Sequence, residues 1–155
     1  LYKKDKKIFN KLKKTLPKYI YSFPINKSEI SNSILANKSN LKKIIKIVHL
    51  EIRKKMNVFL TKNKNKKIII LDIPLLLENK LNKKDDILVF IESKKSEILK
   101  RLKKRNNFNQ KLYKKFKDIQ LPLNYKKKKS QFIIKNDFTK KSVNIGIRKI
   151  IKETL

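Results

Sequence analysis

The sequence predicts an α/β protein with a mainly parallel sheet. Three short runs, KIIIL, ILVFI and FIIK, are rich in β-branched and aromatic residues and apolar on both faces, which is typical of parallel strands covered by helices. The segments around them repeat apolar residues with a helical period. Strands alternating with helices indicate an α/β fold, and 155 residues suit a single domain, residues 1–155, with a sheet and covering helices.

The first part of the chain, residues 1–66, is predicted to be helical. Residues 1–16 form one helix that ends before Pro17, and a short helix begins near Ser28. A long amphipathic helix follows, with Ser39 as its N-cap. Its apolar residues recur at steps of three and four: Leu41, Ile44, Ile45, Val48, Ile52, Met56, Phe59 and Leu60.

Residues 67–155 are predicted to contain the sheet and the remaining helices. The segments SKKSEILKRLKKR and NQKLYKKFKDIQL lie between the second and third apolar runs, and TKKSVNIGIRKIIKETL follows the third; all three have helical patterns. The run YKKKKSQ is predicted to be a solvated helix end.

The formal net charge of +32 would favour nucleic acid or an anionic surface as a partner. However, lysine, isoleucine and asparagine dominate together, and their codons consist almost wholly of A and T, so genome composition explains much of the lysine excess. Dedicated nucleic-acid binders also use arginine, glycine and exposed aromatic residues. We therefore expect no specific nucleic-acid partner, although a basic RNA-binding or ribosome-associated α/β protein stays open as the alternative function.

The composition also bears on location. The sequence has no cysteine, no secretory signal pattern and no apolar stretch near the roughly 20 residues that a membrane span needs. We expect a cytoplasmic protein without a membrane partner; the sequence predicts no oligomeric state.

Polar residues follow each of the three predicted strands. Asp72, Glu92 and Asn136 stand directly after the apolar runs. Because ligands of open parallel sheets bind at the carboxyl ends of the strands, these residues are candidates for a site. Glu92 can equally mark the exit from the core. Asp72 is the stronger candidate, because Pro74 ends its strand sharply.

Several segments, in order along nearly the whole chain, resemble the dephospho-CoA kinase family. ILDIPLLLE is similar to the family's D-x-P-L-L-F-E segment, with Leu77 where an aromatic residue is common. Upstream, INKSEISNSILANKSNLKKIIKIVHLEIR resembles the stretch that leads to I-x-H-P-x-V-R. Downstream, EILKRLKKR, IQLPL and FIIKND are similar to the lid region, the Q-M-P segment and the V-I-x-N ending.

The resemblance implies a fold and a reaction. The fold would be the three-layer, parallel-sheet fold of P-loop nucleoside-monophosphate-like kinases, with a helical substrate region and a lid. The reaction would transfer the γ-phosphoryl group of ATP to the 3′-hydroxyl of dephospho-CoA, the last step of coenzyme A synthesis. ATP and dephospho-CoA would be the partners and Mg²⁺ the cofactor.

The chain departs from the family in one major respect. Members open with a strand and a G-x-x-G-x-G-K-[ST]-type phosphate loop, whereas this sequence has a single glycine, Gly146. We expect the first βα unit and its following strand, on the order of 30 or more residues, to be encoded upstream of Leu1, and this chain alone to be inactive. Leu50 replaces the proline after the histidine, and Phe116 stands where many members have arginine.

The resemblance also assigns site residues. Asp72 would be catalytic, holding magnesium directly or through water, because phosphoryl transfer spreads negative charge that a metal must neutralise; the alternative is a turn acid. Arg101 and Arg105, four residues apart on one predicted helix, would be catalytic arginines of the lid, since a planar guanidinium suits several phosphate oxygens at once. Ordinary surface arginines are the alternative.

Two further groups follow from the resemblance. His49 and Arg53, four apart on the long helix, would bind the acceptor substrate, although a histidine beside a core can also be structural. The other predicted substrate-binding residues are Pro74, Leu75, Leu76 and Glu78, of which Glu78 can instead pair with a lysine. Gln120 and Asn136 would bind the nucleotide, with Pro122 at the lid hinge.

Overall fold

The computed structural model describes residues 4–155, which separate into two compact units, one ending at Asp72 and one beginning at Ile73. The first unit contains three helices: α1 (Lys6–Thr15), α2 (Lys27–Ala36) and α3 (Lys38–Lys62). The second contains, in chain order, β1 (Val89–Glu92), α4 (Lys95–Lys103), α5 (Gln110–Asp118), α6 (Leu123–Lys129), β2 (Phe132–Lys135) and α7 (Lys140–Thr154).

The first unit is built around α3, which packs against both α1 and α2. The predicted apolar stripe supplies Leu41, Ile44 and Val48 to a buried core, which α1 extends with Ile8 and Leu12. The 25-residue length of α3 and the burial of the first half of the stripe confirm the prediction of a long amphipathic helix, whereas Phe59 in its second half is 48 % exposed.

Two helix starts in the first unit are set by side-chain caps. Asp5 accepts hydrogen bonds from the backbone N–H groups of Lys7 and Ile8, both at 3.1 Å, so α1 begins after it; the first three residues of the predicted helix lie outside the described residues. The prediction of Ser39 as the cap of α3 is wrong. Asn37 has the extended backbone of an N-cap, and its side chain accepts from the Ser39 N–H at 2.8 Å, so the helix starts before Ser39.

In the second unit, β1 and β2 pair in parallel. The register places Val89 opposite Phe132 and Glu92 opposite Lys135. The predictions that the second and third apolar runs are strands and that the sheet is parallel are therefore confirmed for this pair. The expected cover on both faces is incomplete, since Val89, Ile91 and Ile133 are exposed.

The first apolar run does not form the strand that the sequence predicts. Within the described range, residues 4–155, the sheet consists of β1 and β2, and residues 67–71 are irregular. The run also lacks the expected cover on both faces, since Ile70 is 86 % exposed. A strand is defined by a ladder partner, and β1 and β2 pair with each other rather than with this run.

The single glycine allows α7 to approach the sheet. A Cβ atom added to Gly146 would lie 2.9 Å from both γ carbons of Ile134, which is buried on β2. These γ carbons sit next to the backbone and cannot easily move away. Gly146 thus permits close packing of α7 on β2 and does not serve as a phosphate-loop glycine.

Replacing Gly146 by alanine is expected to destabilise the protein. Overpacking against Ile134 costs about 1–3 kcal/mol, and the better helix propensity of alanine offsets about 0.5–1 kcal/mol, so a net loss of up to about 2.5 kcal/mol follows. Urea unfolding would measure it. In an Ile134→Ala background the loss should shrink or reverse; an equal loss in both backgrounds would contradict the proposed contact.

Candidate active site

The carboxyl ends of β1 and β2 lead into a tightly bonded turn. The Asn136 N–H donates to the Glu92 carbonyl oxygen at 2.7 Å, extending the parallel pairing by one bond. The side-chain oxygen of Asn136 then accepts from the Phe138 N–H at 2.8 Å. Phe138 has a φ of 69°, in the left-handed region. The turn therefore holds Asn136 at the sheet edge where ligands of parallel sheets bind.

An open groove of about 340 Å³ lies beside this turn. Arg101 of α4 places its guanidinium carbon 3.9 Å from the centroid of the Phe138 ring, a close cation–π stack. The structure thus brings together two predicted site residues, Arg101 and Asn136. The groove is lined by Arg101, Asn136, Phe138, Thr139, Lys140, Val143 and Asn144.

The Asp137 side chain is held by hydrogen bonds at the start of α7. The Asp137 carboxylate accepts from the Ser142 hydroxyl at 2.5 Å and from the hydroxyl and N–H of Thr139 at 2.7 and 2.9 Å. These hydrogen bonds lower the pKa of Asp137 to about 2, so the group is ionised at neutral pH. The start of α7 is therefore already occupied by an anionic side chain of the chain itself.

The acid at the end of β1 is paired with a lysine. Glu92, which follows the second predicted strand, receives the Lys127 ammonium group at 2.5 Å. The carboxylate therefore links β1 to α6. The alternative interpretation of Glu92 as an exit from the core agrees with this contact.

A second cluster of contacts centres on Glu78. One carboxylate oxygen accepts from the Lys126 ammonium group at 2.5 Å and from the Leu121 N–H at 2.9 Å. Burial alone would raise the pKa of Glu78, but these hydrogen bonds outweigh it and hold the pKa below its usual value. Glu78 is thus an ionised, partnered carboxylate.

The remaining lid candidates lie in connections between helices. Arg105 is exposed and lies beyond α4, which ends at Lys103, so the prediction that it shares a helix with Arg101 is wrong. The Arg105 N–H bonds to the Leu102 carbonyl at 3.1 Å in the tight turn that closes the helix. Gln120 and Pro122 lie between α5 and α6.

Three predicted residues belong to the first unit. His49 and Arg53 lie one turn apart on α3, half-buried and exposed respectively, and Asp72 is exposed at the end of the unit. Pro74, Leu75 and Leu76 belong to a turn of the second unit described below. Across residues 4–155, no three histidine or acidic side chains cluster closely enough to hold a metal ion.

Sequence reasoning missed Phe138 and Lys126. Phe138 could have been found, because DFTKKS places a Thr-x-x-Ser pattern at a helix start directly after a strand, marking a turn at the ligand-binding edge. Lys126 carries no such signal, because it lies within four consecutive lysines.

The parallel strands, the polar turn at their carboxyl ends and the arginine-lined groove are consistent with the class of α/β proteins that have a kinase-like fold. Within that class, the chain belongs to the dephospho-CoA kinase family, whose sequence model matches residues 1–142. The resemblance found in the sequence is therefore confirmed.

Curated relatives agree with this assignment. A dephospho-CoA kinase of Wolbachia pipientis wMel is 32 % identical over 153 residues, covering 97 % of this chain and 78 % of the relative. One from Rickettsia conorii is 32 % identical, covering 90 % and 72 %, and one from Bartonella quintana is 26 % identical, covering 84 % and 68 %. Separately, none of the helices in the described part of the chain is long and apolar enough to cross a membrane.

Proposed function

We propose that this protein acts in the phosphorylation of the 3′-hydroxyl of dephospho-CoA by ATP, the last step of coenzyme A synthesis, in the cytoplasm. The observation that carries the proposal is the family match over residues 1–142. The alternative, a basic RNA-binding or ribosome-associated protein, rests on net charge alone and has no comparable support.

In this proposal the groove beside Phe138 receives the nucleobase of ATP. The stacked guanidinium of Arg101 offers a flat face to a planar ring, and Asn136 offers a carboxamide to its edge. Gln120 is proposed to contact the nucleotide as well, and Pro122 to lie at the lid hinge. Arg105, exposed beyond α4, is then the freer of the two arginines to reach the transferring phosphoryl group.

In the first unit, His49 and Arg53 on α3 are proposed to bind the acceptor. In the second unit, the turn formed by Pro74, Leu75 and Leu76 is likewise proposed to bind substrate. Leu75 supports a functional role for this turn, because its φ of 56° is a strained conformation for a bulky residue, and such strain clusters at ligand sites. Arg53 can bind a phosphate of the acceptor through a charge-assisted hydrogen bond.

Magnesium is proposed to enter with ATP. Mg²⁺ usually binds substrate phosphates and water together with one or two carboxylates, so it needs no protein cage. The exposed Asp72 fits that mode, either directly or through water, whereas the lack of an acidic cluster within residues 4–155 argues against an all-protein site. Bound there, the ion would neutralise phosphate charge.

The ATP phosphates require a glycine-rich loop that we propose lies outside these 155 residues. The only glycine, Gly146, is packed against Ile134 within α7. Exposed apolar residues on the sheet, Val89, Ile91 and Ile133, support a larger three-layer domain in which further elements, including the first βα unit, would cover the sheet. In that arrangement residues 1–66 are the helical substrate region, and residues 67–155 contribute the rest of a single domain.

Selective acceptor binding tests the proposal against the nucleic-acid alternative. We expect the protein to bind dephospho-CoA, and an Arg53→Ala variant to bind it about tenfold or more weakly, because a charge-assisted hydrogen bond is lost. Calorimetry at two salt concentrations would measure it, with exposed Arg148→Ala as the matched control. Binding of RNA alone, falling steeply with salt, would contradict the proposal.

A further inference from the structure

Glu78 joins two segments that are distant in sequence. Its carboxylate oxygen accepts from Lys126 of α6 and from the backbone of Leu121, at 2.5 and 2.9 Å. The side chain of Glu78 is 9 % exposed and that of Lys126 is 20 % exposed, so water competes weakly with the pair. One carboxylate oxygen of Glu78 thus binds both Lys126 of α6 and Leu121, which lies just before that helix.

The turn that carries Glu78 is itself well defined. The Asn79 N–H donates to the Leu75 carbonyl at 3.1 Å, and the Leu81 N–H donates to the Leu76 carbonyl at 3.0 Å. Leu75 and Lys80 both have positive φ, 56° and 50°, which closes the chain tightly at both ends of this segment. We call residues 74–80 the Glu78 turn.

The Glu78 turn contacts the connection between α5 and α6, which follows the α4–α5 segment in the chain. Residues 119–122 separate α5 from α6, and Pro122 is the N-cap of α6. Short connections of this kind absorb the backbone rotation of moving segments. The Leu121 N–H binds Glu78, so the position of this connection depends on a side chain from the Glu78 turn.

We propose that Glu78 is a positioning residue, which anchors the hinge of α4–α5 at Leu121 and thereby links acceptor binding at the Glu78 turn to the position of the lid. This inference rests on the proposed function, which assigns the acceptor to Pro74, Leu75 and Leu76 and the lid hinge to Pro122. The lid is taken as the α4–α5 segment, which carries Arg101 and Arg105 and ends before that hinge. Glu78, predicted from the resemblance to bind substrate, acts instead through Leu121 and Lys126.

Amide hydrogen exchange at Leu121, measured by NMR on the 155-residue protein with and without dephospho-CoA, tests the link. In the parent, dephospho-CoA should slow exchange at Leu121 by about threefold or more, because occupation of the turn stabilises the anchor. In Glu78→Gln, basal exchange should rise about tenfold or more, since a charge-assisted acceptor is lost, and dephospho-CoA should no longer slow it.

The matched control is Glu92→Gln. It removes the Lys127–Glu92 pair, which has the same 2.5 Å separation and also involves α6, but which links that helix to β1. This variant should keep the parental response at Leu121. A purely structural role for Glu78 would change basal exchange without any response to dephospho-CoA in the parent.

Calorimetry of dephospho-CoA binding to the same samples distinguishes a failure of the positioning role from a failure of the proposed function. Dephospho-CoA binding without a response at Leu121 in the parent, or a full response retained in Glu78→Gln, would overturn the positioning role and leave the proposed function standing. Absence of dephospho-CoA binding would overturn the proposed function, and the positioning role with it. If Glu78→Gln does not fold, the absence of a response at Leu121 in the parent would still overturn the positioning role.

Discussion

Replacing Arg105 or Arg101 by lysine is expected to lower turnover of dephospho-CoA by about 10- to 10³-fold in a form of the enzyme that carries a phosphate loop. A transition-state arginine is worth about 10³ to 10⁵ in rate in phosphoryl-transfer systems, and lysine keeps the charge but not the planar, bidentate fork. The loss should appear in kcat more than in ATP affinity, because the contact strengthens only in the transition state.

The structure distinguishes the two positions. Both arginines are exposed, but Arg101 is stacked on Phe138, whereas Arg105 lies beyond the end of α4. We therefore expect Arg105→Lys to affect kcat alone, and Arg101→Lys to raise the KM for ATP as well. Arg148→Lys, an exposed arginine on α7, is the matched control and should behave as the parent.

Steady-state kinetics decides between the lid and an ordinary surface role. An exposed ion pair is worth only about 0–1 kcal/mol, and its loss would leave turnover nearly unchanged. If Arg101→Lys and Arg105→Lys both remain within about threefold of the parent, less than half of the 1.4 kcal/mol that marks a tenfold change, the lid assignment is wrong.

The 155-residue chain alone is expected to bind ATP negligibly. Backbone N–H groups of a phosphate loop normally surround the phosphates, and the single glycine of this chain is packed inside α7. The net charge of +32 offers only a non-specific attraction, which salt screens over about 8–10 Å at physiological ionic strength.

Calorimetry with Mg-ATP at low and physiological salt would measure this. The expected result is a weak heat of binding that disappears at the higher salt concentration and that inorganic triphosphate also produces. Tight, magnesium-dependent binding that distinguishes ATP from inorganic triphosphate would show that these residues hold a phosphate site of another kind.

The spacing of apolar residues along the sequence was sufficient to predict the long helix α3 and the two strands that pair with each other. The stripe of α3 buries Leu41, Ile44 and Val48, and the apolar runs around Val89 and Phe132 pair in parallel as expected. In α3 the residue pattern specifies the face that is buried, whereas in the strands it indicates the strand type but not the cover, since Val89, Ile91 and Ile133 are exposed.

The sequence-based predictions were wrong where the structure depends on tertiary partners or on the exact end of a helix. Residues 67–71 have the composition of a strand, but a ladder requires a neighbour that sequence composition does not identify. Arg105 falls outside α4 because the chain closes in a turn at Asn106 and Asn107, residues that favour turns over helix. Lys126 is identical in type to its neighbours, and only its contact with Glu78 distinguishes it.

Phosphoryl transfer itself is the most direct test of the proposed function. A chain that joins residues 1–155 to a glycine-rich phosphate-loop unit would be incubated with Mg-ATP and dephospho-CoA, and the product analysed by mass spectrometry and ³¹P NMR. The expected product is coenzyme A, with one new phosphate monoester on the ribose 3′-hydroxyl and one ADP formed for each transfer. A folded, ATP-binding protein that hydrolyses ATP without phosphorylating dephospho-CoA, or that leaves the 3′-hydroxyl free, would contradict it.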